Sequence, residues 1–192
     1  MNAMDLEGIQ KKAIDTLRNG GLLLYPTDTV WGIGCDATRE EAVRRIFTLK
    51  QRPEHKPFIL LVSSQQMLEQ YVGPVHPKLD RLLQYHERPL TVVYPQCQHL
   101  PEISHGADGS VAIRIVKDAF CKTIIEGLGR PIVSTSANRT GDPFPKHFGE
   151  ITSDIISGVD YVTPHRQQET EPGEPSVMVK LSEKDELIFL RN

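Results

Sequence analysis

The 192-residue sequence is poor in the features that would place it quickly. Its three cysteines, Cys35, Cys97 and Cys121, are far apart and odd in number, which excludes a disulfide framework and the paired spacing of a structural zinc site. No apolar run approaches the about 18 residues a membrane helix needs, and no basic, apolar, small-residue leader opens the chain. Positive charge is not in excess: 22 Lys and Arg face 25 Asp and Glu, a net charge of -3. Total charge therefore advertises neither nucleic acid nor an anionic membrane, and any RNA contact requires a local basic patch. Repeats and low-complexity tracts are absent, and the seven histidines show no metal spacing. The signatures GxxxxGK[ST], HExxH, GxSxG and Cys-x-x-Cys are all missing. What remains is a globular composition, 39% hydrophobic and 24% charged. It predicts one domain over residues 1–192 in a reducing compartment, the cytoplasm.

Apolar periodicity supplies the elements. Leu6, Ile9, Ala13 and Leu17 mark one face of a first helix, which Gly20 and Gly21 end. Residues 22–26 read as a buried strand stopped by Pro26. Thr38 and Glu41 form a capping-box pattern opening a helix over 39–50, with Ala42, Val43, Ile46, Phe47 and Leu49 as its apolar stripe. A strand at 58–62 precedes two short helices near 64–71 and 76–86. Strands follow at 90–94 and 111–116, a helix from Asp118 to Leu128 ending at Gly129, and a strand at 131–135. The last third is mostly strand, near 160–163, 176–181 and 186–190. Segments 141–149 and 166–173 read as mobile loops rich in Pro, Gly and polar residues. The pattern predicts an α/β open twisted mixed sheet of about seven strands with four or five flanking helices.

Four stretches carry chemistry. YPTDTVWGIG (25–34) follows a buried strand with hydroxyls, a carboxylate and two glycines, where open α/β sheets place ligands. It reads either as such a loop or as a glycine-rich turn satisfying its own backbone. KQRPEHKP (50–57) gathers Lys50, Arg52 and Lys56 between two prolines. A solvated helix end accounts for Lys50 alone, because the helix dipole favours a cation there. Three cations held close by stiff chain also suit a polyphosphate, with Arg as a fork and Lys as a point charge. SVAIRIV (110–116) puts Arg114 in mid-strand on the face shared with Ala112 and Val116, either an edge charge or a fork for a carboxylate on a cleft floor. PIVSTSANRTGDP (131–143) runs a buried strand out into Ser134, Thr135, Ser136 and Asn138, small donors able to approach phosphate or ribose oxygens. Together they suggest an anion-binding cleft for a nucleotide, with no obvious nucleophile.

YPTDTVWGIG, the K-x-R of Lys50 and Arg52 with Lys56-Pro57, VAIR, and STSAN-x-[ST]-G, in this order and at these separations, resemble the YrdC-like threonylcarbamoyl-AMP synthases. The resemblance runs from about Leu22 to Arg191. It implies a fold related to the RibB type, curved around a deep basic cavity. It also implies synthesis of L-threonylcarbamoyladenylate and pyrophosphate from L-threonine, bicarbonate and ATP, with magnesium bridging the triphosphate. Downstream threonylcarbamoyl-transferase proteins then modify adenosine 37 of tRNA. Carried over by position, Lys50 and Arg52 are the catalytic cations. ATP contacts fall on Lys50, Arg52, Lys56, Ser110, Ser136, Asn138 and Arg191, and threonine contacts on Thr29, Arg114, Ser134 and Ser176. No resident metal ligand is implied. The chain departs from the family at Val177 and Lys180, which replace Thr and Asp of a P-S-T…D pattern, and at Trp31, where Tyr is common. The alternative is a YciO-type paralogue that binds tRNA, double-stranded RNA or a nucleotide without synthase activity. A carbamoyl-transfer domain of the hydrogenase-maturation kind ranks lower, and a dinucleotide oxidoreductase lower still.

Overall fold

Among the described residues nine strands form one sheet, because the strand-forming stretches pair as neighbours even where the chain between them is long. A computed structural model describes residues 3–54, 56–171 and 173–192. His55 of the cationic segment and Pro172 of the 166–173 loop lie outside them. In chain order the elements are α1 (Ala3–Arg18), β1 (Leu23–Tyr25), β2 (Gly32–Asp36), α2 (Glu40–Lys50), β3 (Ile59–Val62), α3 (Gln65–Val72), α4 (Pro77–Tyr85) and β4 (Leu90–Tyr94). Then follow β5 (Val111–Ile115), α5 (Ala119–Leu128), β6 (Ile132–Ser136), α6 (Ser153–Ser157), β7 (Tyr161–Val162), β8 (Val177–Leu181) and β9 (Leu187–Arg191). The sheet order is β7-β1-β2-β6-β3-β5-β4-β8-β9, open at both ends and mixed. β3 and β5 run parallel, while β2 and β3 flank β6 antiparallel.

The count of nine corrects the expected seven, and β2 shows why. GIGCD carries two glycines and reads as a turn, yet all five residues are buried and paired to β1 and β6. A Cβ on Gly34 would stand 2.6 Å from the Val133 carbonyl oxygen and 2.8 Å from Cε1 of Tyr25. The glycine therefore makes room for an aromatic ring from the adjacent strand, a demand invisible along the chain. The expected capping box at Thr38 does not form either. Arg39 is the N-cap of α2 and makes no side-chain cap bond, while the Thr38 hydroxyl donates to Oδ1 of the wholly buried Asp36 at 2.6 Å. A buried carboxylate needs donors more than an exposed helix start does. The Asp118 cap does form, accepting from the Cys121 N–H at 2.8 Å, and α5 ends at Gly129 in the left-handed region.

The sheet buries a core on each face. Alternation sends Leu24, Ile33, Leu60 and Val92 toward α2, α3 and α4. Their neighbours Leu23, Tyr25, Leu61 and Ile132 turn to the other face, against Ala13 and Leu17 of α1 and Ile124, Ile125 and Leu128 of α5. The two helices cover only part of that second face, and the uncovered part becomes the site.

Candidate active site: a basic cavity on the uncovered half of the sheet

Register fixes what lines the opening. Cross-strand partners share a face, and one ladder row reads Ile132–Leu61–Arg114–Thr91–Met178 across five strands. Ile132 and Leu61 lie beneath the helices, whereas Arg114 and Met178 emerge in a cavity of about 430 Å³. The next row carries Gly34, Ser134, Ile59 and Ala112. Three arginines (Arg52, Arg114 and Arg191) and six hydroxyl side chains line the cavity, and no Asp or Glu among the described residues does. Its volume falls in the ordinary range for small-molecule sites.

Arg114 is only 3% exposed. Its Nη2 lies 3.0 Å from Oδ1 of Asp28, whose side chain is also largely buried. The contact is ionic, since neither Oδ1 of Asp28 nor Nε of Arg114 has a hydrogen-bond partner of good geometry. Asp28 is itself held by Oδ2, which accepts from the Lys117 N–H at 3.2 Å. Arg114 thus lines the cavity while its Nε–H stays buried without a partner, an uncommon arrangement for a buried polar group.

The opposite corner is built from the last strands. Arg191 donates through Nε to the Ser176 carbonyl at 2.8 Å and through Nη2 to the Ser176 hydroxyl at 3.0 Å. The Ser176 hydroxyl also pairs with that of Thr91 at 2.8 Å. Burial, then the charge of Arg114, lowers the Arg191 pKa, so the two guanidiniums feel one another across the cavity. Arg52 donates to the carbonyls of Lys56 at 2.7 Å and Pro57 at 3.1 Å, with its guanidinium 5.1 Å from the Phe58 ring centre. Burial lowers its pKa too. Thr29 shares a 2.9 Å hydroxyl pair with Thr27, and Ser110 donates to Oδ1 of Asp108 at 2.6 Å.

Of the eleven positions singled out in the sequence, eight line this cavity: Thr29, Arg52, Ser110, Arg114, Ser134, Ser136, Ser176 and Arg191. Lys50, Lys56 and Asn138 do not. Lys56 is exposed. The Asn138 amide N–H₂ donates to the carbonyls of Arg139 at 3.0 Å and Asp142 at 2.7 Å, closing its own turn. Lys50 is buried beneath that turn. Trp31 stands in the core of the other face, its ring centre 4.9 Å from that of Phe148. Sequence reasoning noted a carboxylate in the 25–34 stretch but did not single out Asp28, three residues beyond the end of β1, as a site residue. It also missed Phe144 on the rim, which has no local signature.

The 166–173 loop, expected to be mobile, is tied to this region. Arg166 pairs with Asp118 at 3.0 Å and Glu169 at 2.6 Å. Gly173 lies so close to Thr29 that any Cβ would overlap the Thr29 carbonyl. Among the described residues, no group of three His, Cys, Asp or Glu is placed to hold a metal ion. No helix of the described residues is long and apolar enough to cross a membrane.

The open mixed sheet thus carries an arginine-lined cavity with no Asp or Glu among the described residues, and the sequence comparison gives the family. The family model described as Sua5_yciO_yrdC, Telomere recombination, matches residues 15–192, and the chain belongs to that family. A Klebsiella pneumoniae protein named threonylcarbamoyl-AMP synthase is 33% identical over 165 residues, covering 83% of this chain and 87% of the relative. A Hahella chejuensis protein of the same name is 36% identical over 156 residues, covering 80% and 84%. Among solved structures, P. abyssi Sua5 complexed with L-threonine matches with a TM-score of 0.82 at 29% identity, over 97% of this chain and 54% of that one. The chain thus spans about half of that protein. E. coli YciO matches with a TM-score of 0.82 at 22% identity, over 97% of this chain and 89% of that one, a likeness of fold.

Proposed function

We infer that the chain is a threonylcarbamoyl-AMP synthase, a nucleotidyltransferase that forms L-threonylcarbamoyladenylate and pyrophosphate from L-threonine, bicarbonate and ATP. The observation that carries this reading is the buried Arg114, braced by Asp28 at the wall of a cavity that has two further arginines and, among the described residues, no carboxylate. Such a floor suits the carboxylate of a free amino acid, and the remaining positive wall suits a triphosphate.

In this reading Arg114 takes the threonine carboxylate in a charge-assisted fork, and Thr29, Ser134 and Ser176 address its amine and hydroxyl. Arg52, Ser110, Ser136 and Arg191 face the nucleotide, with Asn138 shaping the turn behind Ser136. Lys56, exposed beside Arg52, adds a phosphate contact on swinging inward. The threonine nitrogen bonds to the bicarbonate carbon with loss of water, giving a carbamate. A carbamate oxygen then attacks the α-phosphorus as the bond to the bridging oxygen breaks and pyrophosphate departs. No side-chain nucleophile is needed, so the protein's part is alignment and neutralisation of charge. Magnesium enters with ATP as part of the substrate, and phosphate and water are its natural donors because the cavity wall offers no carboxylate among the described residues. The mixed anhydride is labile and passes, in the cytoplasm, to proteins that transfer the threonylcarbamoyl group to tRNA.

Incubation with MgATP, bicarbonate and L-threonine is expected to release pyrophosphate, with none when threonine is omitted. Threonine-independent turnover, or no turnover, overturns the reading. A mobility shift of tRNA or double-stranded RNA with a steep salt slope and no pyrophosphate release would support the YciO-type alternative instead. The named relatives give that alternative no support.

A further inference from the structure

Lys50 belongs to the chemistry-bearing motif but not to the cavity. It ends α2 at the position that continues the buried stripe of Val43, Ile46 and Phe47, and it is 2% exposed. Its Nζ donates to the Ser136 carbonyl at 2.5 Å and to the Asn138 carbonyl, with the Asn138 amide oxygen 3.5 Å away. Its own carbonyl accepts from the Thr140 N–H at 2.9 Å. One residue thus grips the 136–140 turn from both of its ends. Burying an ammonium is unfavourable, and three oxygens converging on it are what make the placement tenable. Burial, reinforced by the charge of Arg52, lowers the Lys50 pKa to about 7. The donors that do face the cavity from this side are those of Arg52 and Ser136.

We propose that Lys50 is a positioning residue: it pins the turn from Ser136 to Thr140 so that Ser136 stands at the cavity wall, and it makes no contact with phosphate. The functional half of this proposal rests on the cavity being a nucleotide site; the pin does not. The K-x-R pair therefore divides its labour, Arg52 facing the ligand and Lys50 holding the wall that Arg52 faces.

The test uses the wild-type protein first. Reductive methylation with formaldehyde and a borane, read by peptide mass spectrometry, is expected to modify Lys56 freely. Lys50 should react at least roughly tenfold more slowly, with or without MgATP, because its amine becomes reactive only on local opening. Labelling of Lys50 in the free protein that MgATP then blocks would identify a phosphate ligand and overturn the proposal. Labelling unaffected by MgATP would overturn the buried pin. In Lys50→Met, hydrogen exchange of the Thr140 amide without ligand is expected to rise about tenfold, while amides of β3 and β5 keep their protection. Arg52→Ala leaves the Thr140 amide protected. Unchanged exchange in Lys50→Met would also sink the pin. Should that variant not fold, the wild-type labelling decides alone. Neither readout uses turnover, so a failed synthase assay and a failed pin are told apart.

Discussion

Leu61 and Arg114 are direct partners across β3 and β5, point to the same face of the sheet, and are both almost fully buried. One lies under α1 and α5 among apolar side chains, and the other floors a cavity. The same ladder row is a core on one side and a site on the other, and the boundary is simply where the helical cover stops. Burial at Leu61 stabilises the fold by excluding water. Burial at Arg114 instead holds a cation at the cavity wall, braced by Asp28 and with its Nε–H unpartnered.

That contrast can be broken from either side. The largest effect on stability is expected from Leu61→Ala, which removes buried methyl groups and leaves a cavity costing about 2–5 kcal/mol. Thermal denaturation should show Tm lower by roughly 5 °C or more, with the KM for threonine of the folded enzyme unchanged. Arg114→Ala inverts this. Losing two charge-assisted hydrogen bonds, each worth about 1.5–3 kcal/mol, should lower threonine-dependent kcat/KM by about 10²-fold or more in steady-state pyrophosphate assays. Asp28→Asn tests the brace. It keeps the shape but removes the charge that aims the guanidinium, and should raise the threonine KM about tenfold while leaving that for ATP nearly unchanged. Gly34→Ala forces a methyl against the Val133 carbonyl and the Tyr25 ring and should cost about 1–3 kcal/mol by denaturant titration. At the small end, Lys122→Ala removes an exposed ion pair with Glu126 at 4.0 Å and should move Tm by less than about 2 °C.

The sequence was most legible where local periodicity and burial coincide. Of the expected α2 stripe, Ala42, Val43, Ile46 and Phe47 are buried and Leu49 partly so, and the Asp118 cap forms where the pattern places it. It was least legible where one element answers to another distant in the chain. β2 hides behind two glycines because the reason for Gly34 is the ring of Tyr25. The Thr38 capping pattern yields to Asp36, whose burial only the folded sheet creates. At the site, the motif stretches led to most of the wall, since 25–34 and 131–143 carry the chain out of β1 and β6, 110–116 is β5 itself, and 50–57 links α2 to β3. Clustering of charge misdirected the reading of Lys50. Its place on the helical stripe, four residues after Ile46, was the better guide to where its side chain goes.

The three cavity arginines have a practical consequence for anyone handling the empty protein. Held around one hollow, with Arg114 paired to Asp28, they would favour a small polyanion from the buffer. A solute that occupies only the native state at a hundred times its Kd adds about 2.7 kcal/mol to the unfolding free energy. Melting curves recorded in phosphate or sulfate would then report the salt as much as the polypeptide.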